Sequence, residues 1–299
     1  MLATWLADFM ELARTRSFTR AAENRNVTHP AFGRRIKALE EWAGVPLIHR
    51  TVPIDFTAEG IIVLETATEI IETLRLLRER LDSSDKTGEP DLKIATGVTI
   101  SSTFFPQWLK EVSAIIGNFS TRIIAGNHEK AIGALANLDA DILIAYSSYH
   151  TRLKLNPAQY DWIIIATEEL VPISAIGENG KPLFTGSESS STPYIGFTTT
   201  TALHPIITRH LSSLKNKPNV KMVHETDSYS SVLELVAAGI GMAWLPLRLV
   251  RPSLDAKRIM LIDQPSWQAK LDIALYRRKL FSHKIVNQLW ENYSLHKID

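Results

Sequence analysis

Cysteine is absent from all 299 residues. Structural disulfides, thiolate metal sites and cysteine nucleophiles are therefore excluded, and a cytoplasmic home fits. Long apolar runs are missing too. The longest, Leu235 to Val250, carries Gly239, Gly241, Pro246 and Arg248, and falls short of the ~20 apolar residues that span a bilayer. Asp8 and Glu11 interrupt the first apolar residues, so neither a secretory leader nor a membrane partner is expected. Catalytic signatures are also lacking. Gly239-Ile240-Gly241 has no third glycine for a dinucleotide fold, and there is no nucleophile elbow, zinc-protease helix or phosphate-binding loop. The nine histidines are scattered without ligand spacing. An enzyme, a metal centre or a cofactor is not expected.

The length points to two domains, and 45% hydrophobic with 22% charged residues is ordinary for globular protein. The net charge is only +1, but its distribution is uneven. Between Arg14 and Arg50 there are eight basic residues (Arg14, Arg16, Arg20, Arg25, Arg34, Arg35, Lys37, Arg50) against Glu23, Glu40 and Glu41, a surplus of five. Such a cluster attracts phosphates; it equally fits a solvated helix face.

The pattern in this segment is helical. Trp5, Leu6, Phe9 and Leu12 recur at helix spacing. Ser17 stands as N-cap for a short helix over Phe18 to Asn24, with Thr19 and Arg20 in its first turn, and Ala21 and Ala22 permit a close helix crossing. After a turn at Arg25-Asn26, Thr28 caps a third helix from His29 to about Trp42, with Pro30 where a missing N–H costs nothing. Phe32, Ile36 and Leu39 face inward; His29, Pro30, Gly33, Arg34 and Lys37 face outward. This is a helix-turn-helix whose last helix would enter the major groove of duplex DNA. Val45 to Arg50 and Ile54 to Phe56 are predicted as a hairpin wing, with Arg50 reaching the backbone or minor groove.

The run SFTRAAENRNVTHPAFGRRIKALEEWAGVPLIHR resembles the N-terminal signature of LysR-type transcriptional regulators over residues 3 to 60. The resemblance implies DNA contacts from Ser17, Thr19, Arg20, Thr28, His29, Pro30, Gly33, Arg34, Lys37 and Arg50. Two positions depart from it: His29 stands where the family has glutamine, and Gly33 where it has serine. The wing tip, Val52-Pro53-Ile54, is less basic than usual. An atypical operator half-site is expected.

Residues 59 to 82 contain no proline, and no glycine after Gly60; Leu64, Ala67 or Thr68, Ile71, Leu74, Arg78 and Leu81 follow a near-heptad spacing that gives one long helix a largely apolar stripe. That stripe needs a partner, either its own domain or a second copy. The resemblance implies a dimerisation helix, a homotetramer built from two dimers, and RNA polymerase as a further partner. The polar stretch Ser83 to Pro90 reads as a hinge.

From Asp91, strands and helices alternate. Predicted strands are Leu92 to Gly97, Thr121 to Ala125, Asp141 to Ala145, Trp162 to Ala166, Leu170 to Ala175, Tyr194 to Phe197, Val220 to Glu225, Gly241 to Leu245 and Leu271 to Tyr276. Helices are expected from Ser101 to Ile116, His128 to Leu138, Thr198 to Leu214, Tyr229 to Ala238 and Ser282 to His296. The βαβαβ start implies a parallel sheet with right-handed crossovers. The run SYSSVLELVAAGIGMAWLP resembles a recurrent LysR regulatory-domain segment. The fold implied is an all-α winged helix-turn-helix (1–58) with a linker helix and hinge (59–89). An α/β regulatory domain (90–299) follows, made of two Rossmann-like subdomains of periplasmic-binding-protein type, 91–163 with 268–299 and 164–267.

In such sheets ligands sit beyond the carboxyl ends of strands. Three junctions are rich in hydroxyls: Thr99, Ile100, Ser101 and Ser102; Thr198, Thr199, Thr200 and Thr201; Thr226, Asp227 and Ser228. Each group suits a helix cap; three converging on one cleft suit a small-molecule effector, expected to be a small organic or aromatic acid. Phe104, Phe105 and Phe197 are candidates for an apolar wall. Two alternatives stand beside this reading. One is a hypochlorite-responsive LysR regulator acting through methionine oxidation, on Met1, Met10, Met222, Met242 and Met260. The other is a solute-binding module with no role at DNA.

Overall fold

The computed structural model describes residues 1–49, 51, 54–82, 89–148, 153, 155–186, 191–279 and 283–295. The chain divides into two compact units, Met1–Glu89 and Pro90–Asp299, each built on its own apolar core.

In the first unit α1 (Leu2–Thr15) buries Leu6, Phe9 and Leu12 and ends at Arg16, which adopts a left-handed φ of 52°. Helix α2 (Phe18–Asn24) is capped by Ser17, whose hydroxyl accepts the Arg20 N–H. The chain then turns at Asn26, with φ 53°, a conformation asparagine tolerates better than most residues. Helix α3 (His29–Ala43) starts under the Thr28 cap and ends at Gly44 with φ 74°. Phe32, Ile36 and Leu39 pack on Phe9, Leu12 and the small Ala21 and Ala22, which let the helices cross closely. Each such aromatic or aliphatic burial contributes roughly 1.5–3 kcal/mol.

The wing is shorter than the apolar pattern suggests. Among the described residues β1 (Ile48–His49) and β2 (Asp55–Phe56) pair, antiparallel, with Ile48 opposite Phe56. Pro46 has no N–H to offer a ladder, and the Leu47 N–H goes to Glu40 Oε1 at 2.9 Å instead. Arg50, Val52 and Pro53 lie outside the described residues, as does the hinge segment 83–88. Helix α4 (Ala58–Asp82) packs on α1. Its inner stripe is Leu64, Ala67 and Ile71, with Ala67 fully buried. Part of the stripe is thus satisfied within its own domain, while Ile61, Ile62, Ile70 and Leu74 remain exposed.

The second unit opens with β3 (Leu92–Gly97), α5 (Val98–Thr103), α6 (Phe105–Ile116), β4 (Thr121–Gly126), α7 (His128–Ala136) and β5 (Ile142–Ser147). Strand β3 runs parallel to both β4 and β5, as the βαβαβ order requires. The helix expected from Ser101 begins earlier and breaks at Phe104, leaving two pieces. Strand β6 (Tyr160–Ala175) is one continuous strand where two were predicted. Its polar middle, Thr167-Glu168-Glu169, reads as a break, but Glu168 is buried against Arg248 at 3.0 Å. Then come β7 (Thr192–Phe197), α8 (Leu203–Ser213), β8 (Val220–Thr226), α9 (Tyr229–Ala237), β9 (Ala243–Pro246), α10 (Leu247–Asp255), β10 (Ile259–Leu261), β11 (Ala269–Arg278) and α11 (Lys284–Leu295).

A seven-stranded sheet runs β10-β6-β11-β5-β3-β4, with β9 also on β6, and β7 and β8 form a parallel pair beside it. Strands β6 and β11 pair over their whole common length and carry the chain between the two halves of the sheet. On β9, beside β6, Trp244 is fully buried, its Nε1 donating to Trp267 O at 2.8 Å. Among the described residues no helix is long and apolar enough to cross a membrane.

Candidate DNA-binding and effector sites

The exposed side of α3 begins with Thr28, His29 and Pro30, and continues with Arg34 and Lys37; Gly33 is half-buried. The His29 ring leans on Phe18, with centroids 5.9 Å apart, and Phe18 in turn meets Phe32 edge-on. The start of α3 is therefore anchored to the α2 side of the core. Thr19 and Arg20 are exposed in the first turn of α2, next to the Ser17 cap. A Cβ at Gly33 would meet nothing within 4 Å, so the surface there is open.

The basic cluster is less uniform than the sequence suggests. Arg14 pairs with Glu11 at 2.6 Å, Arg16 with Asp55 at 2.9 Å, and Lys37 with Glu41 at 3.5 Å. Arg25 and Arg35 both turn inward to the buried Asp8. Arg20 and Arg34 have no ion-pair partner among the described residues. Arg16 also caps the wing: its Nη1 donates to Ile54 O at 3.1 Å, and its guanidinium lies 4.9 Å from the Phe56 ring centroid.

In the second unit a cavity of about 260 Å³ opens at the carboxyl ends of β3, β4 and β5. Six of the predicted effector residues line it: Thr99, Ile100, Thr200, Thr201, Asp227 and Ser228. The other five do not. Ser101 and Ser102 return their hydroxyls to the Val98 carbonyl, at 2.6 and 3.2 Å, within α5. Thr198 shares a hydrogen bond with Thr200, and Thr226 Oγ1 accepts the Ser228 N–H at 3.2 Å. Thr199 is simply exposed. Phe104, Phe105 and Phe197 are core residues and form no wall of the cavity.

Sequence reasoning missed a fourth junction. Asn127 caps α7, and Asn127, His128 and Ile132 line the cavity with Val98, Leu143 and Tyr229. The signal was present: Asn127-His128 follows β4 as Thr99 follows β3. Tyr146 also lines the cavity, with its hydroxyl buried. Among the described residues the lining contains no arginine or lysine, and Asp227 is its one carboxylate. Burial holds the His128 pKa below its ordinary value, a lowering that the nearby Glu129 opposes.

That depression has a measurable sign. Below pH about 6.5 the unfolded chain takes up a proton that the folded His128 resists. The stability contributed by neutral His128 is therefore complete above that pH and is lost as pH falls toward the folded value. The melting temperature of the wild type should drop more between pH 7 and 5.5 than that of His128→Asn; parallel curves would contradict the assignment.

A helix-turn-helix with a wing, joined to an α/β unit that holds a cavity beyond its strand ends, defines a ligand-responsive DNA-binding regulator rather than an enzyme. The comparisons agree. Residues 3–61 match the bacterial regulatory helix-turn-helix protein model of the lysR family, and residues 86–293 match the LysR substrate binding domain model. The chain belongs to the LysR family of transcriptional regulators. It is 25% identical to the Escherichia coli K12 regulator YjiE over 96% of this chain and 92% of that protein. A solved structure of Vibrio fischeri DarR in complex with DNA is 26% identical, with a TM-score of 0.56 and 99% of each chain covered. Full-length HypT from Salmonella typhimurium, a hypochlorite-specific LysR-type regulator, shares the fold at 23% identity and TM-score 0.57, with 99% of each chain covered.

Proposed function

We propose that this regulator reads promoter or operator DNA with the start of α3, and that a small molecule in the cavity of the second unit controls that activity. The observation that carries the first part is the capped, outward-facing start of α3, with His29, Pro30, Arg34 and Lys37 exposed and Gly33 half-buried beside them. Ser17, Thr19, Arg20 and Thr28 flank it, and Arg50 of the wing adds a further contact. DarR, solved with DNA, is a similar protein that supports the reading. Selection of duplexes from a random library by the full-length protein tests it; no enrichment at low salt would sink it.

The effector part rests on the junctions that meet at the cavity. Its volume is below the ~300–1,000 Å³ of drug-sized sites, which favours a small ligand. A small organic acid would lie against free N–H groups at the starts of α7 and α9, where the helix dipole favours negative charge. A second reading is favoured by Asp227. The described lining offers a lone carboxylate ligand no cationic side chain, whereas a zwitterionic amino acid brings its own ammonium for Asp227. Thermal shifts with leucine, its deaminated acid and its decarboxylated amine separate the two. Ligand at about 100 times Kd should raise the melting temperature by roughly 5–10 °C. A response to leucine alone favours the zwitterion, and a response to the acid alone favours the acid. A different ligand class binding while every acid and amino acid fails would remove both.

Binding would close the two halves of the second unit on the ligand and bias how the regulator assembles on DNA. Ile62, Ile70 and Leu74, exposed at near four-residue spacing on α4, would pair with a second copy, giving a dimer and then a tetramer. RNA polymerase would be the downstream partner, in the cytoplasm. The domain scheme that fits is 1–58 for DNA, 59–89 for linkage and 90–299 for the effector. An oxidation-based alternative would act at Met1 or Met222, 93% and 47% exposed, rather than at the fully buried Met242.

A further inference from the structure

Asp8 is a carboxylate with no exposure, placed in the middle of α1. Two guanidinium groups reach it from two other helices. Arg25 Nε, at the C-cap of α2, donates to Oδ1 at 2.6 Å, and Arg35 Nη1, in the second turn of α3, donates to Oδ2 at 3.2 Å. Each oxygen holds a different helix. One turn further along α1, Glu11 Oε1 accepts from Asn24 Nδ2 at 2.7 Å, so the turn between α2 and α3 hangs from one acidic edge of α1.

A buried carboxylate of this kind is a weak source of stability compared with apolar packing, but it fixes geometry, because removing either partner leaves an unpaired buried charge. Two oxygens with two directed bonds define two directions, and base-edge readout depends on the angle at which the reading helix enters the groove. The same bonds keep Arg25 and Arg35, each with only 35% of its side chain exposed, off the phosphate-binding surface. Phosphate contacts supply affinity without sequence discrimination.

We propose that Asp8 is a specificity-determining residue that never touches DNA: it sets the bearing of α3 and withdraws two arginines from non-specific phosphate binding. This rests on α3 being the DNA-reading helix. The test uses full-length protein, a duplex that the wild type enriches from a random library, and poly(dI–dC) as the non-specific probe, each titrated across about 50–200 mM salt. Asp8→Asn keeps the side-chain volume and removes the charge. It should lose about tenfold or more for the enriched duplex while poly(dI–dC) binding holds or rises, because two arginines are released. Arg35→Gln should lose specific affinity with the salt slope unchanged, since Arg35 acts as a tether. Circular dichroism and melting curves establish that each variant folds. If Asp8→Asn does not fold, Arg35→Gln decides alone, because Asp8 then keeps Arg25. Wild-type discrimination in a folded Asp8→Asn protein, or a slope reduced by about one unit in Arg35→Gln, overturns the inference. A wild type that enriches no duplex removes the DNA-reading role of α3 and this inference with it.

Discussion

Gly60→Ala should destabilise the first unit by about 1–3 kcal/mol, a fall of roughly 4–8 °C in melting temperature for each kcal/mol in a unit of this size. A Cβ at Gly60 would stand 2.0 Å from the Leu47 carbonyl oxygen and 2.9 Å from its carbon. Both are backbone atoms, and Leu47 has little room to retreat. Its N–H is held by Glu40, its oxygen accepts the Thr57 N–H at 3.1 Å, and its side chain is fully buried. The first turn of α4 is fixed on the other side as well: the Gly60 N–H bonds Thr57 Oγ1, which donates to Pro46 O, both at 2.9 Å. Relief would require the linker helix to lift from the base of the wing. Gly33→Ala is the matched control. It adds a methyl to open space in a helix interior, and should gain about 0.5–1 kcal/mol. Thermal melts of the two full-length variants check the pair, with hydrogen exchange at the Leu47 and Thr57 amides locating the change. A Gly60→Ala melting temperature indistinguishable from wild type would show that Leu47 yields where its bonds say it cannot.

Local chemistry was legible in the sequence, and long-range chemistry was not. The caps at Ser17 and Thr28 act on amides three residues away, so both helix starts were readable, and the spacing of Phe32, Ile36 and Leu39 gave the buried side of α3. Asp8 could be read only as an interruption of an apolar run, because its partners lie 17 and 27 residues further on. The same limit hid the continuity of β6. Thr167-Glu168-Glu169 looks like a loop until Arg248, 80 residues away, supplies the partner that lets Glu168 be buried. The threonine run misled differently. Its hydroxyls bond one another and Thr201 Oγ1 donates to Thr198 O at 3.0 Å, which offers the backbone a turn in place of a helix start and delays α8 to Leu203. Strand order brought six of the eleven named residues to one cavity, but which hydroxyl is spent on its own helix depends on rotamers that no spacing encodes.

Arg34→Glu should be the most damaging single change to DNA binding among the charged residues of α3. Arg34 is exposed and has no ion-pair partner among the described residues, whereas Lys37 sits 3.5 Å from Glu41 one turn on. A charge-assisted hydrogen bond is worth about 1.5–3 kcal/mol, so Arg34→Ala should lose roughly 10- to 100-fold in affinity. It should also lower the slope of log K against log salt by about one. Reversal to glutamate adds repulsion from the phosphates and should deepen the loss further. Lys37→Ala should cost less, because Glu41 already offsets part of its charge. Arg14→Ala should leave DNA binding nearly unchanged: Arg14 is bound to Glu11 at the end of α1, on a different helix from the reading surface. The order Arg34, Lys37, Arg14 follows from pairing, not from charge, since all three carry the same formal charge. Gel-shift titrations at several salt concentrations measure both quantities at once. Equal slopes for Arg34→Ala and wild type would mean that this arginine meets no phosphate, and that the unpaired cation on α3 serves something other than duplex binding.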